Sequence, residues 1–64
     1  MKKSARKLVH HFGGKRLTAD ALAIHEETLR LWLRDGIPLA RAIEIERRTA
    51  GVVRAEDILR EARR

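Results

Sequence analysis

Glu26, Glu27, Arg30, Leu31 and Arg34 form the part of this 64-residue chain whose side-chain types and spacing could do chemistry. At helical period, taking Leu29 as zero, Glu27, Leu31, Arg34 and Arg30 fall at about 160°, 200°, 140° and 100°, while Leu29, Trp32 and Leu33 cluster on the other side. Arginine pairs bidentately with the O6/N7 edge of guanine or binds phosphate. A glutamate accepts from the cytosine amino group, and a leucine packs on the thymine methyl. An outward stripe of this composition suits the major groove of double-stranded DNA. Each member also has a plainer reading: Glu26 and Glu27 favour a helix N-terminus through its dipole, and Leu31 is one exposed leucine.

The rest of the chemistry is sparse. His10, His11 and His25 invite a metal reading, but adjacent histidines on a helix point about 100° apart. No cysteine or suitably spaced acid completes a tetrahedron, so no metal or other cofactor is expected. No nucleophile has a general base beside it, and no glycine-rich phosphate loop precedes a helix. A chain this short buries only roughly 60% of its unfolded surface and has little material to line a deep pocket. No enzymatic activity is expected on these grounds.

Charge points the same way as the stripe. The balance is 15 Lys+Arg against 9 Asp+Glu, a formal net charge of +6. Lys2, Lys3, Arg6, Lys7, Lys15 and Arg16 occupy the first sixteen residues with no acid among them. Residues 17 to 46 carry more acids than bases, and the C-terminal stretch is again arginine-rich. Such basic flanks meet phosphate, whether of DNA, RNA or an acidic membrane surface. The longest apolar stretches, Ala21 to Ile24 and Leu31 to Leu33, are far short of the roughly 20 residues that a membrane helix needs, so no membrane partner is expected. Lys2 and Lys3 have no hydrophobic run behind them to make a signal peptide, and the lack of cysteine suits a reducing cytoplasm.

The elements that must position the stripe are helices. Gly13-Gly14, Asp35-Gly36-Ile37-Pro38 and Ala50-Gly51 punctuate intervals of helical period, giving an all-α fold of five short helices in one domain, residues 1–64. The first is expected from a Ser4 cap to Phe12, with Ala5, Leu8, Val9 and Phe12 on one face. The second runs from Lys15 to Leu22 and the third from Glu26 to Arg34, stopped by Gly36 in a left-handed conformation. The fourth begins with Pro38 in its first turn and ends near Thr49; the fifth begins at Ala55, with Glu56 and Asp57 at its positive end. Only Ala23, Ile24 and His25 separate the second and third helices. Such a tight joint is a helix-turn-helix spanning about 15–34, with Ile24 placed to staple onto Leu29. Trp32 faces the core. Glu46 falls within the apolar face of the fourth helix and is expected to be partly buried beside a base such as Arg6.

Gly13-Gly14, the run Ala19 to Ile24, Thr28, Trp32, Ile37-Pro38 and Ala42 through Ile45-Glu46-Arg47 together resemble the Cro-like helix-turn-helix repressors of temperate phages, the group that includes YdaS-type antitoxin-like regulators. The resemblance covers about Val9 to Ile58. It implies a lambda-repressor-like domain in the bacterial cytoplasm, a phage or prophage origin, and repression by occupancy of double-stranded operator DNA. Base contacts would fall on Glu26, Glu27, Arg30, Leu31 and Arg34. Phosphate contacts would fall on Lys15, Arg16, Thr28 and the start of the fourth helix at Leu39, Ala40 and Arg41. The turn departs from the pattern at Ala23, where glycine is frequent and alanine is tolerable if its backbone is not strongly left-handed, and at His25, a poorer cap than the usual Ser or Thr. A weak homodimer is expected through a C-terminal segment, 52–64, using Val52, Val53, Ile58 and Leu59. Two rivals remain: an excisionase- or MerR-like winged helix, which Thr28 to Pro38 also resembles but which needs a strand pair after the proline, and a YdaS-type factor whose main partner is another protein.

Overall fold

The computed structural model describes residues 2–63. They form α1 (Lys3–Phe12), α2 (Lys15–Leu22), α3 (Glu26–Asp35), a 3-10 turn (Leu39–Arg41) leading into α4 (Ala42–Arg48), and α5 (Ala55–Ala62). No strand occurs among the described residues. The chain after Pro38 is helical, which removes the winged-helix alternative. The α1, α2 and α3 helices pack on one another, and α5 packs on α4 and the 3-10 turn.

One core joins the two groups. Ala5, Leu8, Leu22, Leu29, Trp32, Leu33, Ile37, Ala42, Ile45, Val53 and Ile58 are buried together, with Val9, Phe12, Ile24 and Ala55 packed against them. The α1 face is therefore the one that helical period assigns, but its start is different. Ser4 lies inside the first turn and is buried, and Lys2 occupies the cap position without a side-chain cap bond. The orphan amide of Ser4 donates instead to the Glu61 carboxylate of α5, at 3.1 Å from Oε2, and the Ser4 hydroxyl donates to the same oxygen. A carboxylate from the far end of the chain does the capping that a local serine was expected to do.

The two glycine breaks work by conformation. Gly13 is left-handed at φ 92°, and Gly14, at φ 144°, turns the chain from α1 into α2; an added Cβ at Gly14 would meet nothing within 4 Å, so φ alone demands glycine there. Gly36 has φ 107° and ψ 161°, an extended positive-φ state rather than the left-handed helical cap expected. The extended exit carries the chain straight into Ile37, which is buried.

Two further corrections concern the C-terminal half. Val53 is 1% and Ile58 2% exposed, so these two expected dimer residues belong to the chain's own core. A domain with so few large apolar side chains has none to spare from its interior. Glu46 is half-buried as expected, but its partner is not Arg6: Oε1 accepts the Ala55 amide at 2.7 Å, capping α5. Beside it, buried Thr49 donates from Oγ1 to the Ile45 carbonyl at 2.9 Å and accepts the Val53 amide at 3.0 Å. These two bonds fold the loop from α4 to α5 over Val53. Replacing Thr49 by the isosteric Val leaves the Val53 amide buried without an acceptor. Thr49→Val is expected to cost about 1–3 kcal/mol of stability, read from the midpoint of urea unfolding, and an unchanged midpoint refutes this account of the loop.

Candidate nucleic-acid interface

Burial of Leu29, Trp32 and Leu33 sets the rotation of α3 about its axis. With those three inward, Glu26, Glu27, Arg30, Leu31 and Arg34 are all exposed, and Thr28 is half-buried. Leu31 is 42% exposed, a large apolar side chain at the centre of an otherwise charged face. A ten-residue helix is about 15 Å long, comparable with the roughly 12 Å width of the major groove.

Both arginines on this face are paired with neighbouring carboxylates. Arg30 Nη1 lies 3.4 Å from Glu27 Oε1, one helical turn away. Arg34 donates from Nε to Asp35 Oδ1 at 3.0 Å and from Nη2 to Oδ2 at 2.8 Å. That hydrogen-bonded pairing raises the Arg34 guanidinium above its ordinary range and lowers the Asp35 carboxyl below its own. All four side chains are well exposed, so these pairs contribute little to folding. The carboxylates of Glu26 and Glu27 also sit at the positive end of α3.

The expected phosphate-binding residues lie on the elements before and after α3 in the chain. Lys15 and Arg16 stand exposed in the first turn of α2. Leu39 and Ala40 are exposed in the 3-10 turn, while Arg41 is half-buried, with its guanidinium carbon 5.6 Å from the Trp32 ring centroid and Nη1 3.4 Å from Glu44 Oε1. The fourth helical segment thus begins as a 3-10 turn after Pro38, not with Pro38 inside an α-helical first turn. Among the described residues no group of three or more His, Asp or Glu side chains is arranged to hold a metal ion.

Sequence reasoning missed two supports. Arg48 Nη1 donates to the Ala21 carbonyl at 3.1 Å, bracing the last turn of α2 from the end of α4. The Lys2 amide donates to the Leu33 carbonyl at 3.2 Å, fastening the start of α1 to the end of α3. Neither carries a sequence signal: one arginine among several in the C-terminal stretch and a backbone amide have no pattern to read.

The joint between α2 and α3 is a tight left-handed turn. Ala23 has φ 56° and ψ 44°, fully left-handed, so alanine here does not meet the condition under which it replaces glycine without strain. The Ile24 amide reaches back to the Ala19 carbonyl at 2.9 Å, closing α2 as the chain reverses, and His25 precedes α3 without a side-chain cap bond.

The family model described as DNA-binding transcriptional regulator Cro matches residues 4–63. This chain belongs to the Cro family. It is a DNA-binding transcriptional regulator of all-helical Cro type, with double-stranded DNA as the partner the family implies. No curated protein and no solved structure shows significant similarity to it. No helix of the Cro domain described here is long and apolar enough to cross a membrane.

The turn that positions α3 of the Cro domain carries backbone strain. A left-handed alanine costs roughly 1 kcal/mol that glycine avoids. Ala23→Gly is expected to raise the stability of the domain by up to about that amount, measured by denaturant unfolding at constant m-value. A loss of stability refutes the strain reading.

Proposed function

We propose that this Cro-family protein is a sequence-specific repressor that acts as a homodimer by occupying operator DNA. The observation that carries the reading is the exposed face of α3, where Glu26, Glu27, Arg30, Leu31 and Arg34 point away from a core built by the same helix. These five would face base edges. Lys15, Arg16, Thr28 and Arg41, with the backbone at Leu39 and Ala40, would meet phosphates on either side. The bound protein would obstruct polymerase, and the setting would be the cytoplasm of a bacterium carrying a phage or prophage.

Charge divides the work. The α3 helix holds Glu26, Glu27 and Asp35 against Arg30 and Arg34, so it brings no net positive charge to DNA. Affinity then comes from the basic flanks, and α3 supplies selection. A carboxylate facing DNA repels phosphate everywhere and is tolerable where a base donates to it.

Binding to duplex DNA should fall by orders of magnitude between about 50 and 200 mM salt. Lys15→Ala should weaken all duplexes about equally, whereas Arg30→Ala should cost about 1–3 kcal/mol on the selected site and relax one position. Glu27→Ala should slightly raise affinity for random DNA while lowering preference at one position. Selection of bound sites from random duplexes, followed by titrations at two salt concentrations, tests all of these together. Unchanged site preference in the α3 variants refutes base reading by this helix.

Two of the four expected interface residues remain available for self-association. Val52 and Leu59 are each 41% exposed. Paired half-sites about one helical turn apart would supply specificity that a single ten-residue helix lacks. Leu59→Asp is expected to shift sedimentation equilibrium toward monomer with helicity unchanged by circular dichroism. A folded variant that dimerises as well as the wild type places the interface elsewhere.

A further inference from the structure

The last turn of α3 holds an acid where an acid is least favoured. Asp35 is the final residue of the helix, at the negative end of its dipole, and adjoins the face assigned to DNA. Its pairing with Arg34 is exposed on both sides, with side-chain exposures of 71% and 61%, so folding stability does not account for it. Lys2 provides a second, weaker positive influence on the Asp35 carboxylate. What the pairing does determine is which edge of the Arg34 guanidinium is left free.

A guanidinium has five N–H donors: one on Nε and two on each terminal nitrogen. Asp35 takes the Nε donor and one Nη2 donor in a two-pronged contact. The remaining parallel pair, one N–H from Nη1 and one from Nη2, points outward along the side chain. That pair matches the O6/N7 acceptors of guanine. The carboxylate also fixes the plane of the guanidinium, since two parallel bonds permit no rotation between the groups.

We infer that Asp35 is a positioning residue that holds Arg34 end-on toward a guanine in the major groove. The inference rests on the reading of α3 as the base-reading helix and adds to it a residue that touches no base. Asp35 acts by limiting Arg34 to one mode: it denies the side edge of the guanidinium to phosphate and leaves the end edge for the base. The acid therefore lowers affinity for DNA in general and raises discrimination at one position.

The test measures affinities for the selected duplex, for the same duplex with each base pair changed in turn, and for random duplex. The proteins are wild type, Asp35→Ala, Asp35→Asn, Arg34→Ala and the Arg34→Ala/Asp35→Ala double variant, each checked for helicity by circular dichroism. Both Asp35 variants are expected to lose about ten-fold of the preference for guanine at one position and to bind random duplex no more weakly than wild type. In the Arg34→Ala background the second substitution is expected to change no base preference, because Asp35 acts only through Arg34. A wild type that prefers its site while both Asp35 variants keep the full guanine preference overturns the positioning role and leaves the base-reading helix standing. An equal loss with and without Arg34 also overturns it. A wild type with no preference among duplexes overturns the base-reading helix and this inference with it.

Discussion

Burial of Leu29, Trp32 and Leu33 is the contact on which the rest of the molecule depends. The α3 helix has ten residues, and these three hold it against a core shared with α1 and α4. Helical geometry then leaves no choice about the opposite side: once the inward row is fixed, Glu27, Arg30, Leu31 and Arg34 must face out. Core row and outward stripe are two readings of one periodicity. A substitution that rolls α3 to repack Trp32 would turn the outward stripe with it.

Several contacts keep that helix from moving as a body. The left-handed turn at Ala23 sets its start, the Lys2 amide engages the Leu33 carbonyl near its end, and Arg41 lies over Trp32 from the following turn. Arg48 braces α2 behind it. The supports are polar and backbone-directed, and they add to what a single apolar cluster provides. Rigidity of this kind lets a short helix present long, flexible arginines from a fixed origin.

Helix positions and faces were legible because they depend on local period and on glycine breaks. The α2 bounds, the inward row of α3 and the start of α5 all follow from patterns within ten residues of each other. What was not legible required knowing which distant elements meet. Ser4 reads as a cap in isolation, but Glu61 arrives to do the capping; Glu46 reads as needing a base, but the start of α5 offers it an amide. Val53 and Ile58 read as surplus at the end of the chain because the depth of the core beneath α5 is a tertiary fact. Gly36 and Ala23 show the same limit at the backbone level. Glycine signals a break at Gly36 and helix spacing a turn at Ala23, while φ and ψ are decided by where the chain must go next.

The Ser4 and Glu61 contact spans 57 positions of sequence and joins the first turn of α1 to the last turn of α5. In most small helical domains the two terminal segments fray independently, each at little free-energy cost. Here the carboxylate that completes α1 belongs to α5, so peeling either segment away strips the other of its hydrogen-bond partner. The openings of α1 and α5 are accordingly coupled through that one carboxylate.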